Sequence, residues 1–268
     1  MSTSGYYQWK KNGQLKSMAR KMEICKKIEE IFNASKSTYG SPRIFHELRS
    51  EGFSVSENTV AKYMREMGLD ARLKKKYRVR TTNSNHEGPI APRVFRIEDD
   101  LPKEANQVLA GDITYLRFGS RFFYLAIVLD VCTRKVVGWS VTESLETTGV
   151  LNALRMALAN CRNRANIVFH SDRGIQYASK LFLALLNKNN VIPSMSRKGN
   201  CYDNSIVESW FKSFKSEWLY RHDYKTEAEL RTLVFEYIEI WYNKKRLHSS
   251  LGYQSPLEYE STLNVNAA

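Results

Sequence analysis

The chain has 268 residues, of which 43% are hydrophobic, and this composition excludes a disordered protein and allows one large or two modest domains. No apolar run approaches the roughly 18–20 residues of a membrane span, no signal-peptide pattern opens the chain, and the four cysteines form no CxxC pair. We therefore expect a protein of the reducing cytoplasm without a membrane partner. The net charge of +13 is concentrated in residues 1–80, which carry 18 basic and 8 acidic side chains. This distribution favours a protein that binds nucleic acid over a soluble basic protein without such a partner.

Residues 1–70 are predicted to form a helical DNA-binding domain. Apolar spacing and capping residues predict three helices, over 18–33, from Ser41 to the residue before Gly52, and from Ser56 to Gly68. The last two match the helix-turn-helix pattern, whose second helix enters the major groove. That helix would present Asn58, Thr59 and Lys62 to DNA, although any small three-helix bundle has the same periodicity.

Residues 71–108 are polar and basic, contain three prolines and are predicted to be a linker. Six cations fall within residues 72–80, including Lys74, Lys75 and Lys76, which we expect to bind DNA phosphates.

Residues 109–260 are predicted to form an α/β domain. Strands are expected at 109–117, 122–131, 134–142, 167–170 and 191–195, with helices at 147–161, 179–189, 204–220 and 226–243. This order predicts a mixed five-stranded sheet with helices on both faces.

Three acids lie within hydrophobic runs of this region. Asp112 lies in the first strand, Asp172 follows the fourth, and Glu208 lies in a helix, with 35 residues between the last two. Buried carboxylates need compensation, and divalent cations such as Mg²⁺ prefer carboxylate oxygens. Lys212 and Lys215 share the helix face of Glu208 and would bind DNA phosphates, as would Arg173.

Each assignment has a structural alternative. Glu208 could form an ordinary pair with Lys212, and Asp172 could be a turn residue. Asp130, a rival acid at a strand end, is better explained by a turn or salt bridge. His170 could support a metal site or be a satisfied strand-end histidine.

An ordered series of motifs runs through the chain, including GDITY at 111–115, YLAIVLDVCTRKVVGW at 124–139, HSDRGIQY at 170–177, SRKGNCYDN at 196–204, ESWFKSFK at 208–215, and further matches at 242–243, 246, 248–251 and 255–256. This series resembles the second-frame (OrfB) transposases of two-frame bacterial insertion sequences, with the Asp-Asp-35-Glu core of retroviral integrases. Parts of residues 4–69 are similar to the same family. Leu109 departs from it, because the family usually has Trp there.

The resemblance implies a ribonuclease-H-like fold behind a helix-turn-helix domain. It implies that Asp112, Asp172 and Glu208 hold two Mg²⁺ ions, with Mn²⁺ as a substitute, and catalyse DNA cleavage and strand transfer at element ends. Asn243, Arg246 and His248 would contact DNA near the site, although a capped helix end explains them equally well.

The implied partners are double-stranded DNA, further copies of the chain on DNA and an upstream first-frame (OrfA) product or fusion, in a bacterial cytoplasm at the nucleoid. Two alternatives stay open: a non-catalytic DNA-binding regulator of transposition, and a nuclease of the same fold without strand transfer.

Overall fold

A computed structural model of the chain describes residues 2–71, 89–96, 101–161, 166–197 and 204–266. Two compact units are present, residues 1–74 and residues 75–268. Lys74, Lys75 and Lys76 lie outside the described residues. In the described ranges, no helix is both long enough and apolar enough to pass through a bilayer.

The N-terminal unit consists of three helices: α1 (Thr3–Ala34), α2 (Ser41–Ser50) and α3 (Glu57–Glu66). Each helix packs on the other two. Their shared core consists of apolar side chains at helical spacing: Ile24, Ile28, Ile44, Leu48, Val60 and Met64. The prediction that α1 starts at residue 18 was wrong, because the first half of this helix carries no apolar stripe to reveal it. The described side chains of residues 3–17 are all exposed.

The predicted start and end of α3 are confirmed. Ser56 accepts a hydrogen bond from the Thr59 N–H at 3.2 Å, and Gly68 ends the helix with φ of +67°. The predicted cap of α2 was wrong by one residue. Gly40 occupies the cap position without a side-chain hydrogen bond, so that Ser41 and Pro42 lie in the first helical turn.

The second unit contains a five-stranded sheet and five α-helices among its described residues. The strands are β1 (Val108–Phe118), β2 (Arg121–Asp130), β3 (Val136–Thr142), β4 (Val168–Ser171) and β5 (Ile192–Met195). The helices are α4 (Thr147–Asn160), α5 (Lys180–Lys188), α6 (Ser205–Glu217), α7 (Glu227–Phe235) and α8 (Pro256–Asn266). The strand order is β3-β2-β1-β4-β5, with antiparallel pairing through β1 and parallel pairing beyond it. The predicted mixed sheet is confirmed.

The last two predicted helices are interrupted. The first stops at Glu217 and continues as a 3-10 turn over Leu219–Arg221. The second starts with a capping box at Thr226 and Glu229, then changes from α-helix to π-helix over Glu236–Tyr242. Helix α8 was not predicted, since its hydrophobic residues follow no helical stripe.

Two glycines allow close packing on the sheet face that α4 and α5 cover. A Cβ atom at Gly138 would lie 2.1 Å from the carbonyl oxygen of Ala153 in α4. A Cβ atom at Gly111 would lie 2.5 Å from the ring of Phe169. Leu109, where the resembling family usually has Trp, is fully buried in the same core.

Residues 89–96, from the predicted linker, lie against the sheet of the second unit. The N–H groups of Val94 and Phe95 both donate to the Ser194 hydroxyl on β5 at 3.0 Å. The buried ring of Phe95 meets His170 edge-on, with ring centres 5.3 Å apart. This segment therefore extends the second unit towards the N-terminus.

Candidate functional site

The sheet brings two of the predicted acids together. Gly111 of β1 pairs with Ser171 of β4, so Asp112 and Asp172 each lie one residue beyond that pair. Adjacent strands are about 4.8 Å apart. The two aspartates are therefore neighbours at the carboxyl end of β4, which is where α/β sheets commonly bind ligands.

Helix α6 brings the third acid to the same place. As predicted, Val207, Phe211 and Phe214 form its buried face, and the helix packs against β1. Glu208 lies half-buried on the neighbouring face, one turn after the helix begins. Lys215 follows two turns later and is also half-buried.

Three neighbouring charges act on Asp112. Burial raises the pKa of Asp112 well above its usual value, and the negative charges of Asp172 and Glu208 raise it further. The Ile113 N–H and the charge of Lys215 act in the opposite direction. Burial lowers the pKa of Lys215, while Asp112 counteracts that effect. The predicted triad is therefore one electrostatic cluster, with Lys215 as a cation inside it.

Backbone N–H groups hold the two aspartates. Asp112 Oδ1 accepts from Ile113 at 2.8 Å, and Asp172 Oδ1 accepts from Gly174 at 2.9 Å. Within the described ranges, no three Asp, Glu, His or Cys side chains are already placed to hold one metal ion.

The other two predicted phosphate-binding side chains differ in exposure and in hydrogen bonding. Lys212 is exposed on α6. The Arg173 Nε donates to the Ser196 carbonyl at 2.8 Å, which joins the turn after β4 to the end of β5. Arg173 thus has a structural contact in addition to its place beside Asp172.

Two rival residues have contacts within the sheet framework. The fully buried Asp130 accepts hydrogen bonds from the Cys132 N–H and the Thr133 hydroxyl, which closes the turn between β2 and β3. His170 is buried, and its Nδ1 lies 3.0 Å from the Ser194 hydroxyl. Both residues belong to the framework of the sheet.

Asn243 and Arg246 are buried and bonded internally. The Asn243 amide exchanges two hydrogen bonds with the backbone of Val136, at 3.0 and 2.9 Å. Arg246 donates twice to the Glu217 carboxylate at 2.6 Å, and both side chains are 4% exposed. These contacts support the structural alternative for Asn243 and Arg246, which fasten the π-helix to β3 and α6.

His248 belongs to the same region. Its Nε2 lies 2.9 Å from the Tyr242 hydroxyl, which in turn donates to the Arg134 carbonyl. Because His248 is half-buried, it retains a solvent-facing side, and its contact with DNA stays a prediction.

The N-terminal unit presents its predicted DNA-contacting residues unequally. Asn58 and Lys62 are exposed on α3. Thr59 is half-buried, and its hydroxyl lies 2.9 Å from that of the capping Ser56. Asn58 and Lys62 are thus the accessible members of the set.

Sequence reasoning gave no role to Tyr177, although the residue closes the motif at 170–177. Tyr177 is 2% exposed and lies within electrostatic reach of Asp112 and Asp172. The available signal was its position, five residues after an acid at a strand end. Glu217, the partner of Arg246, was missed for lack of any local signal.

Comparison with known families matches both units. The HTH-like domain family covers residues 19–77, and two integrase core domain families cover residues 102–201 and 189–256. The transposase InsF for insertion sequence IS3A of Escherichia coli K12 is 36% identical over 263 residues, which span 97% of this chain and 91% of that protein.

A 31 kDa protein of insertion element IS600 from Shigella sonnei is 36% identical over 272 residues, covering all of this chain and 98% of that protein. Among solved structures, a chain of the simian T-cell lymphotropic virus intasome aligns with a TM-score of 0.50 at 13% identity, covering 87% of this chain and 74% of that one. This likeness concerns the fold alone.

Proposed function

Because this chain belongs to the insertion-sequence transposases that include InsF of IS3, and is therefore a DNA transposase with polynucleotidyl transferase activity, we propose that Asp112, Asp172 and Glu208 form its catalytic centre. The observation that carries the proposal is the convergence of three acids from β1, β4 and α6 into one electrostatic cluster. A DNA-binding regulator without catalysis has no use for this costly arrangement.

The donor set fits a pair of Mg²⁺ ions. All three ligands are carboxylates, which hard cations prefer, and their half-buried position raises the energetic cost of leaving their charges uncompensated. When bound, two such ions activate the attacking oxygen and stabilise the leaving oxygen at phosphorus. Mn²⁺ prefers the same ligands, so we propose that it substitutes.

The reaction breaks and forms one phosphorus–oxygen bond in each step. In cleavage, water attacks a phosphodiester at the element end and releases a 3′-hydroxyl. In strand transfer, that 3′-oxygen attacks a target phosphodiester, whose own 3′-oxygen leaves with the proton. Asp112, Asp172 and Glu208 would hold the ions in register with the bond that breaks.

Three cations around the acids would position the DNA. Lys212, exposed on α6, would bind a backbone phosphate through its free ammonium group. Lys215 lies deeper, beside Asp112, so it would bind a phosphate close to the reacting bond. Arg173 would contribute its positive charge from the turn after β4.

The N-terminal unit would recognise the element ends. Asn58 and Lys62 are accessible on the second helix of the helix-turn-helix and would reach into the major groove, with Thr59 supporting the cap of that helix. Lys74, Lys75 and Lys76 would add contacts to phosphates, and His248 would add one from the catalytic unit.

Transposition joins two element ends to one target, so we propose that the active form contains at least two copies of the chain on double-stranded DNA. The upstream first-frame (OrfA) product, or a fusion with it, is proposed as a further partner. We propose that the protein acts in the bacterial cytoplasm at the nucleoid, which its DNA substrate and its bacterial relatives support.

The test is strand transfer of labelled, pre-cleaved DNA that carries the element's own ends, in the presence of Mg²⁺. Wild type is compared with Asp172→Asn, and Asp223→Asn serves as a control because that aspartate is exposed. We expect joined product from the wild type and the control, and none from Asp172→Asn, while all three bind DNA equally.

Equal joining by Asp172→Asn would refute the assigned site. DNA binding by the wild type without joined product, even after addition of the first-frame product, would favour the regulator. Cleavage of uncut element ends, without joining of the pre-cleaved ends, would favour the nuclease.

A further inference from the structure

Tyr177 carries a buried hydroxyl group beside the acid cluster. The side chain is 2% exposed, and the hydroxyl has no hydrogen-bond partner among the described residues. A buried polar group without a partner costs about 1–3 kcal/mol. Groups of this kind call for a physical explanation in a folded protein.

The ring of Tyr177 packs on the sheet face that α5 covers, where β1 and β4 adjoin. Its centre lies 5.3 Å from that of Phe182 and 6.1 Å from that of Phe169. A Cβ atom added at Gly111 would lie 3.4 Å from the ring, and one added at Gly174 would lie 3.6 Å from it. The ring therefore packs against the backbone beside both acids.

One of those two glycines precedes an acid in the chain, and the other is hydrogen-bonded to an acid. Gly111 immediately precedes Asp112, and the N–H of Gly174 holds Asp172 Oδ1. Burial raises the pKa of Tyr177 well above its usual value, and the charges of Asp112 and Asp172 raise it further. The hydroxyl thus stays protonated at neutral pH and is available as a donor.

We propose that Tyr177 is a positioning residue for the metal-binding acids: its hydroxyl donates a hydrogen bond to a carboxylate oxygen of the Asp112–Asp172 pair when these side chains rotate to hold a metal ion. The inference deepens the proposed function and rests on it. Donors behind metal ligands fix ligand orientation, and their loss typically reduces metal affinity by about 10- to 100-fold.

The proposal makes opposite predictions for the metal-free and the metal-bound chain. Tyr177→Phe keeps the ring and removes only the hydroxyl. In EDTA the variant should be as stable as the wild type or more stable, because a buried group without a partner has been removed. In Mg²⁺ it should bind the ion more weakly, by about tenfold.

The experiment follows the thermal midpoint of the full chain in EDTA and across a Mg²⁺ titration, together with strand transfer at each Mg²⁺ concentration. Tyr237→Phe is the matched control, since Tyr237 is an equally buried tyrosine whose ring packs on Trp210 and Phe214. We expect Tyr177→Phe alone to need about tenfold more Mg²⁺, both for stabilisation and for half-maximal joining.

An unchanged Mg²⁺ dependence in Tyr177→Phe, alongside an active wild type, would overturn this inference and leave the proposed function standing. A lower midpoint in EDTA with unchanged Mg²⁺ dependence would also overturn it, because the hydroxyl would then be structural. A wild type that is neither stabilised by Mg²⁺ nor active with it would overturn both proposals.

Discussion

Replacing Glu217 by leucine should destabilise the second unit by about 3–5 kcal/mol, because the change leaves the buried guanidinium of Arg246 without its charge partner. Arg246 donates two hydrogen bonds of 2.6 Å to Glu217 and a weaker one of 3.3 Å to the Ser213 hydroxyl. Only the weaker bond would survive in the variant.

The magnitude follows from the geometry of the pair. A hydrogen bond to a charged group contributes about 1.5–3 kcal/mol, so two of them correspond to about 3–6 kcal/mol. Solvent cannot replace them, since both side chains are 4% exposed. Burial would lower the pKa of Arg246, but Glu217 outweighs burial and the pKa lies above its usual value, so the charge persists.

Tryptophan fluorescence during urea unfolding measures this effect. Four of the five tryptophans lie in the second unit, and three of them lie in or next to α6 and the π-helix: Trp210, Trp218 and Trp241. The double variant Glu217→Leu/Arg246→Met tests the cause, because an apolar pair can replace a buried ion pair at little or no cost.

The reasoning fails if Glu217→Leu loses less than about 1 kcal/mol, the typical value of an exposed pair. It also fails if the double variant loses the sum of the two single losses, since independent sites add and coupled ones do not.

Two further predictions concern the acid cluster and the sheet. Asp112→Asn should raise the thermal midpoint in EDTA at pH 7. The pKa of Asp112 is raised in the folded protein, so the wild type loses stability as pH rises from about 4 through that pKa, whereas the variant does not. A difference in midpoint between the two proteins that does not shrink towards pH 4 would contradict this. Gly138→Ala should cost about 3 kcal/mol of unfolding free energy, because the added Cβ would meet the α4 backbone at 2.1 Å. Gly119→Ala is the control, because a Cβ atom there meets no other atom and only the φ of +58° opposes the change, at about 1–2 kcal/mol. Equal losses of unfolding free energy in urea for the two variants would refute the predicted clash at Gly138.

Local patterns were enough to predict the sheet and to propose the acids. The five strands alternate with breaks that are visible in the sequence, so their bounds were predicted to within a residue or two. Asp112 and Asp172 were recognisable because acids rarely interrupt or end apolar strands, and Glu208 because α6 has a clear buried face beside it. The two aspartates converge through the parallel pairing of β1 with β4, and Glu208 joins them through the packing of α6 on β1.

Long-range contacts were beyond such patterns. Asn243 bonds to Val136, 107 residues away, and Phe95 bonds to Ser194, 99 residues away. Nothing local to Asn243 distinguishes a buried amide from one that faces DNA. The π-helix could not be predicted for the same reason. Tyr237 and Tyr242 pack against α6, and helical periodicity does not encode such a contact between elements.

The buried ion pair between Arg246 and Glu217 affects how copies of the element in genome sequences are interpreted. All three acids are encoded before codon 209, yet the helix that carries Glu208 is fastened by a residue encoded 38 codons later. A copy of the element that is interrupted anywhere between those codons keeps an intact acidic signature and loses the fastening. Counting triads therefore overestimates how many copies of such an element can still move.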